Sequence, residues 1–501
     1  MRKRDWIFLF FILLAPAAAL SAAQDSAGAL ARILASKGVI SPLELSQVES
    51  AASDLRVQML ASILEQKGVL TRAELAGVTP ESEALNARAP AQIVPALYPP
   101  PSSQLTPAAP KPAPESAPAV TSQNKFPITI YGTLLTNAFF NTALTNIEDI
   151  PLFAGKQGSD PFGNDKSFGM TLRQSRFGLR YQGPKVGGAQ INGQFEFDLL
   201  GGKAAFGNGI NMDLFRIRLA LGRLDWENFS LVAGQDWSIF APLNPTSLAE
   251  FAIPGFSASG NPWIRMPQLR GELRHSYSDS TRIQLQLAAI DPDMGDYQTA
   301  AFSSGRTPGV GERGRAPGGE ARLGLTTRAQ DRDFSVGLSS HYARGKNAGT
   351  VGTTNVQTGV DSWGVALDYT LPVVKKFILT GEAFEGRALG IFSVNAGQAI
   401  LPVGTVGEHG VESRGGWAQA QFNLNPKWQV NLAYGIDLAK GRQLRTGDRS
   451  KNQTYMGNLM YKFSPHVTFA WEWRRLLTDF RNQRSADEQG DHANMAVAYT
   501  F

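Results

Sequence analysis

From residue 126 to residue 501, apolar and polar side chains alternate in short runs. Period two marks an extended strand, because successive side chains point to opposite faces of a sheet. Sixteen runs can be placed: 126–140, 168–181, 189–200, 211–223, 227–235, 264–277, 280–290, 319–328, 332–344, 360–372, 374–387, 411–424, 427–440, 451–463, 466–478 and 488–501. Each is long enough for the ~9–11 residues of a tilted membrane-spanning strand. The connections alternate between long and short. The long ones include 141–167, 236–263, 291–318, 345–359 and 388–410. The short ones include Gly183-Pro184-Lys185, Asp225-Trp226, Ser278-Asp279, Ala329-Gln330-Asp331, Asn425-Pro426 and Ser464-Pro465. A sandwich in water has no reason to gather its long loops at one end. A membrane barrel does so, with tight periplasmic turns and long outer loops. The expected fold is therefore all-β: a transmembrane antiparallel β-barrel of about 16 strands over 126–501, behind a small N-terminal α-helical segment.

The two faces of each strand say what the barrel encloses. In 469–474, Phe469, Trp471 and Trp473 oppose Glu472 and Arg474. In 215–221, Phe215, Ile217, Leu219 and Leu221 oppose Arg216 and Arg218. Phe177, Leu179 and Tyr181 oppose Arg176 and Arg180, and Leu269 and Leu273 oppose Gln268, Arg270, Glu272 and Arg274. A charge on the lipid face near the midplane costs ~2–4 kcal/mol. Arg176, Arg180, Arg216, Arg218, Arg270, Glu272 and Arg274 are therefore expected to line the lumen, which is then wet rather than packed. Glu196 and Asp198 lie on inward positions and would pair some of these arginines. In 168–176, Arg173 and Arg176 have opposite parity, which requires a bulge or another register. The stretch 236–263 is apolar and broken by prolines, with Asp236 and Glu250 its only acids. Such a loop sits badly in water. It is expected to fold into the lumen as a constriction, with Asp236, Trp237, Phe240 and Glu250 as its marked residues. The competing expectation is a surface loop packed on a neighbouring subunit.

Three regions precede the strands. In residues 1–23, Arg2-Lys3-Arg4, the apolar run Trp6–Leu14 and the small residues to Ala23 form the three parts of a secretory signal peptide. Without it, 45 cations face 42 acids, a net +3 that is too mild to suggest nucleic acid. The chain has no Cys, so no disulfide framework, lipid-bearing Cys or thiolate site is available. Within 24–79, the stretch Leu30–Val48 recurs as Leu60–Val78, a two-unit helical repeat of period 30. Each unit reads as helix, Gly stop, then a Ser41-x-x-Glu44 or Thr71-x-x-Glu74 capping box. It reads first as a spacer or oligomerisation module, and alternatively as a contact for peptidoglycan or a periplasmic partner. Residues 80–125 form a Pro-rich linker that favours extended backbone.

The final alternation, Met495-Ala496-Val497-Ala498-Tyr499-Thr500-Phe501, resembles the last strand of bacterial outer-membrane barrels. There the terminal aromatic residues, here Tyr499 and Phe501, are read by the barrel-assembly machinery. More specific are Phe215-Arg216-Ile217-Arg218-Leu219, Asn192-Gly193-Gln194-Phe195-Glu196, Arg265-Met-Pro267-Gln268-Leu-Arg270, and Asn228-Phe229 through Gly234-Gln235-Asp236-Trp237-Ser238-Ile239-Phe240. Together they resemble the DcaP-like porin family. That resemblance implies a homotrimer of sixteen-stranded barrels in the outer membrane of a Gram-negative-type bacterium. It also implies passage of small anions, dicarboxylates in particular, and a periplasmic N-terminal helical segment.

Catalytic chemistry finds little support. None of His275, His341, His409, His466 and His492 sits in a recognisable nucleophile motif with a Ser and an acid. Asp291-Pro292-Asp293 with Asp296 reads as a solvated acidic turn rather than a Ca²⁺ site. No metal or cofactor is expected. Two readings of function result. One is a diffusion porin for small hydrophilic, preferably anionic, solutes. The other is an envelope tether whose barrel is an anchor and whose helical repeat binds the cell wall or a partner.

Overall fold

The computed structural model describes residues 31, 32, 35, 40–50, 60, 63, 120, 121 and 127–501, except 159–164, 203–212, 296–307, 330 and 483–487. The signal peptide, nearly all of the second helical repeat, Asp296 and almost all of the linker lie outside these residues. The chain divides into two compact units, 1–93 and 94–501. In the first, α1 (Pro42–Ser50) opens on a complete capping box. The Ser41 N–H donates to the Glu44 carboxylate at 2.6 Å, and the Glu44 N–H donates to Ser41 Oγ at 3.3 Å. Ala31, Ile40, Val48, Leu60 and Ile63 form a small apolar cluster, joining residues from both repeats.

The second unit is a closed antiparallel barrel of sixteen wall strands. They are β1 (Pro127–Asn141), β2 (Ser167–Thr171 and Arg176–Val186), β3 (Ala189–Asp198), β4 (Arg216–Asp225), β5 (Phe229–Trp237) and β6 (Arg265–Ser276). Next come β7 (Thr281–Ile290), β8 (Gly318–Ala329), β9 (Arg332–Val351), β10 (Thr354–Val374) and β11 (Phe377–Arg387). The wall ends with β12 (Glu412–Asn423), β13 (Trp428–Ala439), β14 (Arg449–Lys462), β15 (Val467–Phe480) and β16 (Glu488–Thr500). Each strand pairs with its sequence neighbours, and β16 closes on β1 with Thr500 opposite Thr133. Gly132 and Phe501 exchange backbone bonds of 3.1 Å, so the last residue completes the seam. Its ring lies where a Gly132 Cβ would be, 2.7 Å away.

The lipid face follows from period two. Leu269, Leu273, Leu338, Leu432, Met495 and Val497 are exposed, while their sequence neighbours are turned inward. Aromatic pairs ring the short-turn end: Trp428–Tyr461 at 4.5 Å between centroids, Phe377–Phe422 at 4.9 Å and Tyr499–Phe501 at 6.1 Å. Such girdles mark a membrane–water interface.

Three sequence expectations change and a fourth is met. The first hairpin turns at Gly187-Gly188, both at positive φ (56° and 80°), and not at Gly183-Pro184-Lys185. Two glycines suit the tight turn, and Pro184 lies where the ladder is irregular between Gln182 and Lys185. The stretch 345–359 is no long loop, because β9 and β10 continue through it to a two-residue connection, 352–353. Its inward Asn347 amide donates to the carbonyls of Leu401 (2.9 Å) and Glu408 (3.0 Å), so the hairpin packs on the loop 388–411. The parity conflict around Arg173 is resolved by a break in β2 at 172–175, where Gln174 and Ser175 are buried. Finally, the pairing of β3 with β4 jumps: Phe197 faces Ile217, but Glu196 faces Leu219. Arg218 is the extra residue of a bulge, which inverts the faces beyond it. Leu219 and Leu221, expected on the lipid face, instead point inward together with Arg223.

Candidate functional site: the arginine-lined lumen

The connection 238–264 leaves β5 and runs round the inside of the wall. Wall side chains hold its backbone along the way. Glu320 on β8 accepts from the Ile239 N–H at 3.0 Å, and Ser339 on β9 from the Ala241 N–H at 3.2 Å. Glu382 on β11 accepts from the Leu243 N–H at 2.5 Å, and Gln419 on β12 from the Thr246 N–H at 2.9 Å. Asn137 on β1 donates to the Leu248 carbonyl at 3.0 Å. Gln174, at the break in β2, accepts from the N–H groups of Phe251 (2.8 Å) and Ala252 (2.9 Å). A loop without regular structure must find partners for its backbone, and here the inward polar positions of the barrel supply them.

Above this loop, toward the long-loop end, the interior is not wet. Phe240, Ile264, Met266, Phe384, Leu389 and Phe392 form one apolar cluster. Ile150, Leu152, Leu219, Trp237, Ile253 and Trp263 form another. They are contributed largely by the connections 142–166, 238–264 and 388–411. The expectation of a lumen that is wet rather than packed is therefore corrected for its outer half, much of which apolar loops fill.

Toward the short-turn end lies a cavity of about 800 Å³. Eight arginines line it against three carboxylates: Arg176, Arg180, Arg218, Arg223, Arg270, Arg274, Arg282 and Arg322 face Glu196, Asp236 and Glu272. Glu196 accepts from Arg218 Nε at 2.6 Å and from the Tyr131 hydroxyl at 2.9 Å, with Arg176 at 3.9 Å. Glu272 takes Arg223 at 2.7 Å and Arg270 at 2.8 Å, with Arg274 at 3.6 Å. Arg270 also donates to Asp236 at 2.6 Å. Arg322 pairs with Asp368 at 2.6 and 2.9 Å. Arg180 lies over the Tyr131 ring at 4.2 Å. Arg180 and Arg282 have no carboxylate partner among the described residues.

Of the sequence-marked residues, Arg176, Arg180, Arg218, Arg270, Glu272 and Arg274 lie together on this cavity, as do Asp236 and Trp237. Arg216 does not line it; it is tied to Asp198 and to the Ala252 carbonyl at 3.4 Å. Phe240 is buried against Phe392, 5.0 Å between centroids, and Glu250 is held by Arg474. Phe501 borders the cavity, whereas Tyr499 faces outward. Sequence reading missed Arg223, Arg282 and Arg322. For two of these a signal existed: Arg282, Gln284 and Gln286 alternate with Ile283, Leu285 and Leu287, and Arg322 stands between Ala321 and Leu323. Arg223 was hidden by the bulge.

One histidine departs from expectation in space. His341 Nε2 lies 3.2 Å from Ser362 Oγ, and its Nδ1 lies 3.5 Å from Glu320. Ser362 is 0 % exposed and donates to the Ala388 carbonyl at 3.0 Å, while the rings of Phe240 and Phe392 pack against the His341 ring. A nucleophile needs a substrate within reach, and this hydroxyl instead braces the connection 388–411. Asp291 and Asp293 accept backbone N–H bonds within their own turn. Among the described residues no group of three His, Asp or Glu has metal-binding geometry.

The barrel superposes on the outer membrane channel DcaP of Acinetobacter baumannii with a TM-score of 0.55, over 76 % of this chain and 99 % of that one, at 18 % identity. The fold is that of a DcaP-like outer-membrane porin. Two other porin structures overlap less. OprB of Pseudomonas putida gives 0.46 at 10 % identity, over 75 % of this chain and 94 % of that one. An anion-selective porin from Comamonas acidovorans gives 0.44 at 15 % identity, over 75 % and 100 %. No family model matches the sequence, and no curated protein does. The porin fold accounts for the closed wall, the aromatic girdle and the loop held inside.

Proposed function

We propose that the barrel is a diffusion porin of the outer membrane that passes small hydrophilic solutes and prefers anions, dicarboxylates among them. The observation that carries this reading is a cavity lined by eight arginines, two of which, Arg180 and Arg282, have no carboxylate partner among the described residues. A cleft of one charge sign with low-dielectric walls concentrates the opposite ion. Guanidinium forks suit carboxylates, which they can bind bidentately. Glu196, Asp236 and Glu272 keep the field moderate, so that a solute can leave as well as enter. Loop 238–264 acts as the constriction, with Asp236 and Trp237 at its edge, and Arg216 braces it rather than lining the path. The chain works as a homotrimer, is exported by residues 1–23, and keeps residues 24–125 in the periplasm. Tyr499 and Phe501 serve as the signal for barrel assembly.

The test is a reversal potential in a KCl gradient, with the full-length protein in a planar bilayer. A potential of anion-selective sign is expected, falling toward zero when Arg180, Arg274 and Arg282 are all changed to Gln. A cation-selective potential, or no conductance from properly folded protein, would overturn the proposal.

A further inference from the structure

A cationic patch lies outside the lumen, on β9 and the connection before β8. On the outward face of β9 the residues run Phe334, Val336, Leu338, Ser340, Tyr342, Arg344, Lys346. The series begins beside the short turn at 331 and climbs toward the outer end. Eight residues separate Phe334 from Tyr342. That is roughly 26 Å of strand at about 3.3 Å per residue, or roughly 20 Å along the membrane normal at a tilt near 40°. The two aromatic residues thus bracket the apolar band, and Arg344 and Lys346 stand just beyond its outer edge, at headgroup level.

A neighbouring turn adds to them. The connection before β8 makes a short 3₁₀ turn, Glu312–Gly314, and Arg315 follows it at φ 61°. The left-handed region is uncommon for a residue other than Gly, Asn or Asp. The turn is fastened to β9: Arg313 Nε donates to the Lys346 carbonyl at 2.8 Å, and the Lys346 N–H donates to the Val310 carbonyl at 2.8 Å. Arg313, Arg315, Arg344 and Lys346 therefore share one rim. Among the described residues the acids beside them are Glu312, which accepts from the Gly309 N–H at 2.8 Å, and Asp361. Asp361 accepts from the Tyr342 hydroxyl at 3.0 Å and lies 4.0 Å from Arg344, whose side chain stays 76 % exposed. Among the described residues the rim keeps a surplus of two cations, directly above lipid-facing Leu338 and Tyr342.

We propose that this rim binds the phosphorylated headgroup of an outer-leaflet lipid. Its depth selects the partner. A soluble anion has no reason to sit at the edge of the apolar band, whereas a phosphorylated lipid places acyl chains against Leu338 and phosphates against Arg344, Lys346 and Arg315. The inference rests on the outer-membrane setting of the barrel and not on what the barrel conducts.

Native mass spectrometry of the full-length protein in detergent tests it, with diphosphoryl lipid A, monophosphoryl lipid A and phosphatidylethanolamine as probes. Affinity is expected to fall in that order. The triple variant R315Q/R344Q/K346Q should weaken diphosphoryl lipid A binding about 100-fold at low salt, and R344Q alone about 5-fold, with each cation contributing separately. The charge-conserving R315K/R344K/K346R should restore binding, and conductance should be unchanged in all three variants. Equal affinity for phosphatidylethanolamine, no loss in either Gln variant, or no recovery in the charge-conserving variant would overturn the proposal. Inorganic pyrophosphate competing at the concentration at which diphosphoryl lipid A binds would overturn lipid as the occupant.

Discussion

The two halves of the lumen use the same strand pattern for opposite ends. Toward the long loops, inward polar residues are engaged with backbone: Glu320, Ser339, Glu382, Gln419 and Gln174 each accept an N–H from loop 238–264. Toward the short turns, inward polar residues face open space, and most of the charged ones are arginines. Acceptors predominate where a loop must be held, and guanidiniums where a solute is to pass. An inward polar position is thus not evidence of a pore lining until its partner is known.

Removing a buried charge in the held half should have the largest effect. Arg474 is buried between Glu472 and Glu250. Glu472→Leu would leave that guanidinium with half its compensation, at a cost of about 3–5 kcal/mol. The loss should appear as a lower thermal midpoint of the folded barrel on semi-native gels. An unchanged midpoint would remove the distinction between the halves. Glu382→Leu is expected to cost about 2–4 kcal/mol, because it strips acceptors from the Leu243 N–H and the Trp417 indole (3.1 Å). It should also make single-channel current noisier, since the loop loses a fixed point. Steady current would mean that the loop is held elsewhere.

Deleting Phe501 should act on assembly rather than permeation. It removes the two 3.1 Å bonds to Gly132, about 1–3 kcal/mol in sum. Folded protein in the membrane fraction should fall, while whatever inserts conducts normally. Changed selectivity with full yield would contradict the role given to the seam. The smallest effect on stability belongs to the open half. Arg180→Gln with Arg282→Gln should leave the thermal midpoint in place, since neither has a carboxylate partner among the described residues. The reversal potential should nevertheless move toward zero. A lower midpoint with an unmoved potential would make these residues props of the wall.

Much of this is legible in the sequence. The sixteen strand positions, the inward faces of Arg270, Glu272 and Arg274, and the apolar character of 236–263 all follow from the order of residues along the chain. Arg282 and Arg322 were equally legible, since each alternates with apolar neighbours on its own strand. What period two could not convey was a change of phase. The bulge at Arg218 turns Leu219 and Leu221 inward and brings Arg223 with them. The Gly- and Thr-rich run 345–359 looked like a loop because it lacks an apolar alternation, and its inward Asn347 is satisfied only by a distant carbonyl pair.

The sequence by itself determined the wall: its strand count, its two faces, its tight and wide ends, and the residue that closes it. These depend on alternation and turn chemistry, which are local. Only the tertiary structure decided which arginines are neutralised and which half of the lumen is filled. Arg173 meets Asp149, Arg474 meets Glu250, and Phe240 meets Phe392 across separations of 24 to 224 residues. Charge and volume inside a barrel are settled by what the loops bring back into it, and that information lies in no single strand.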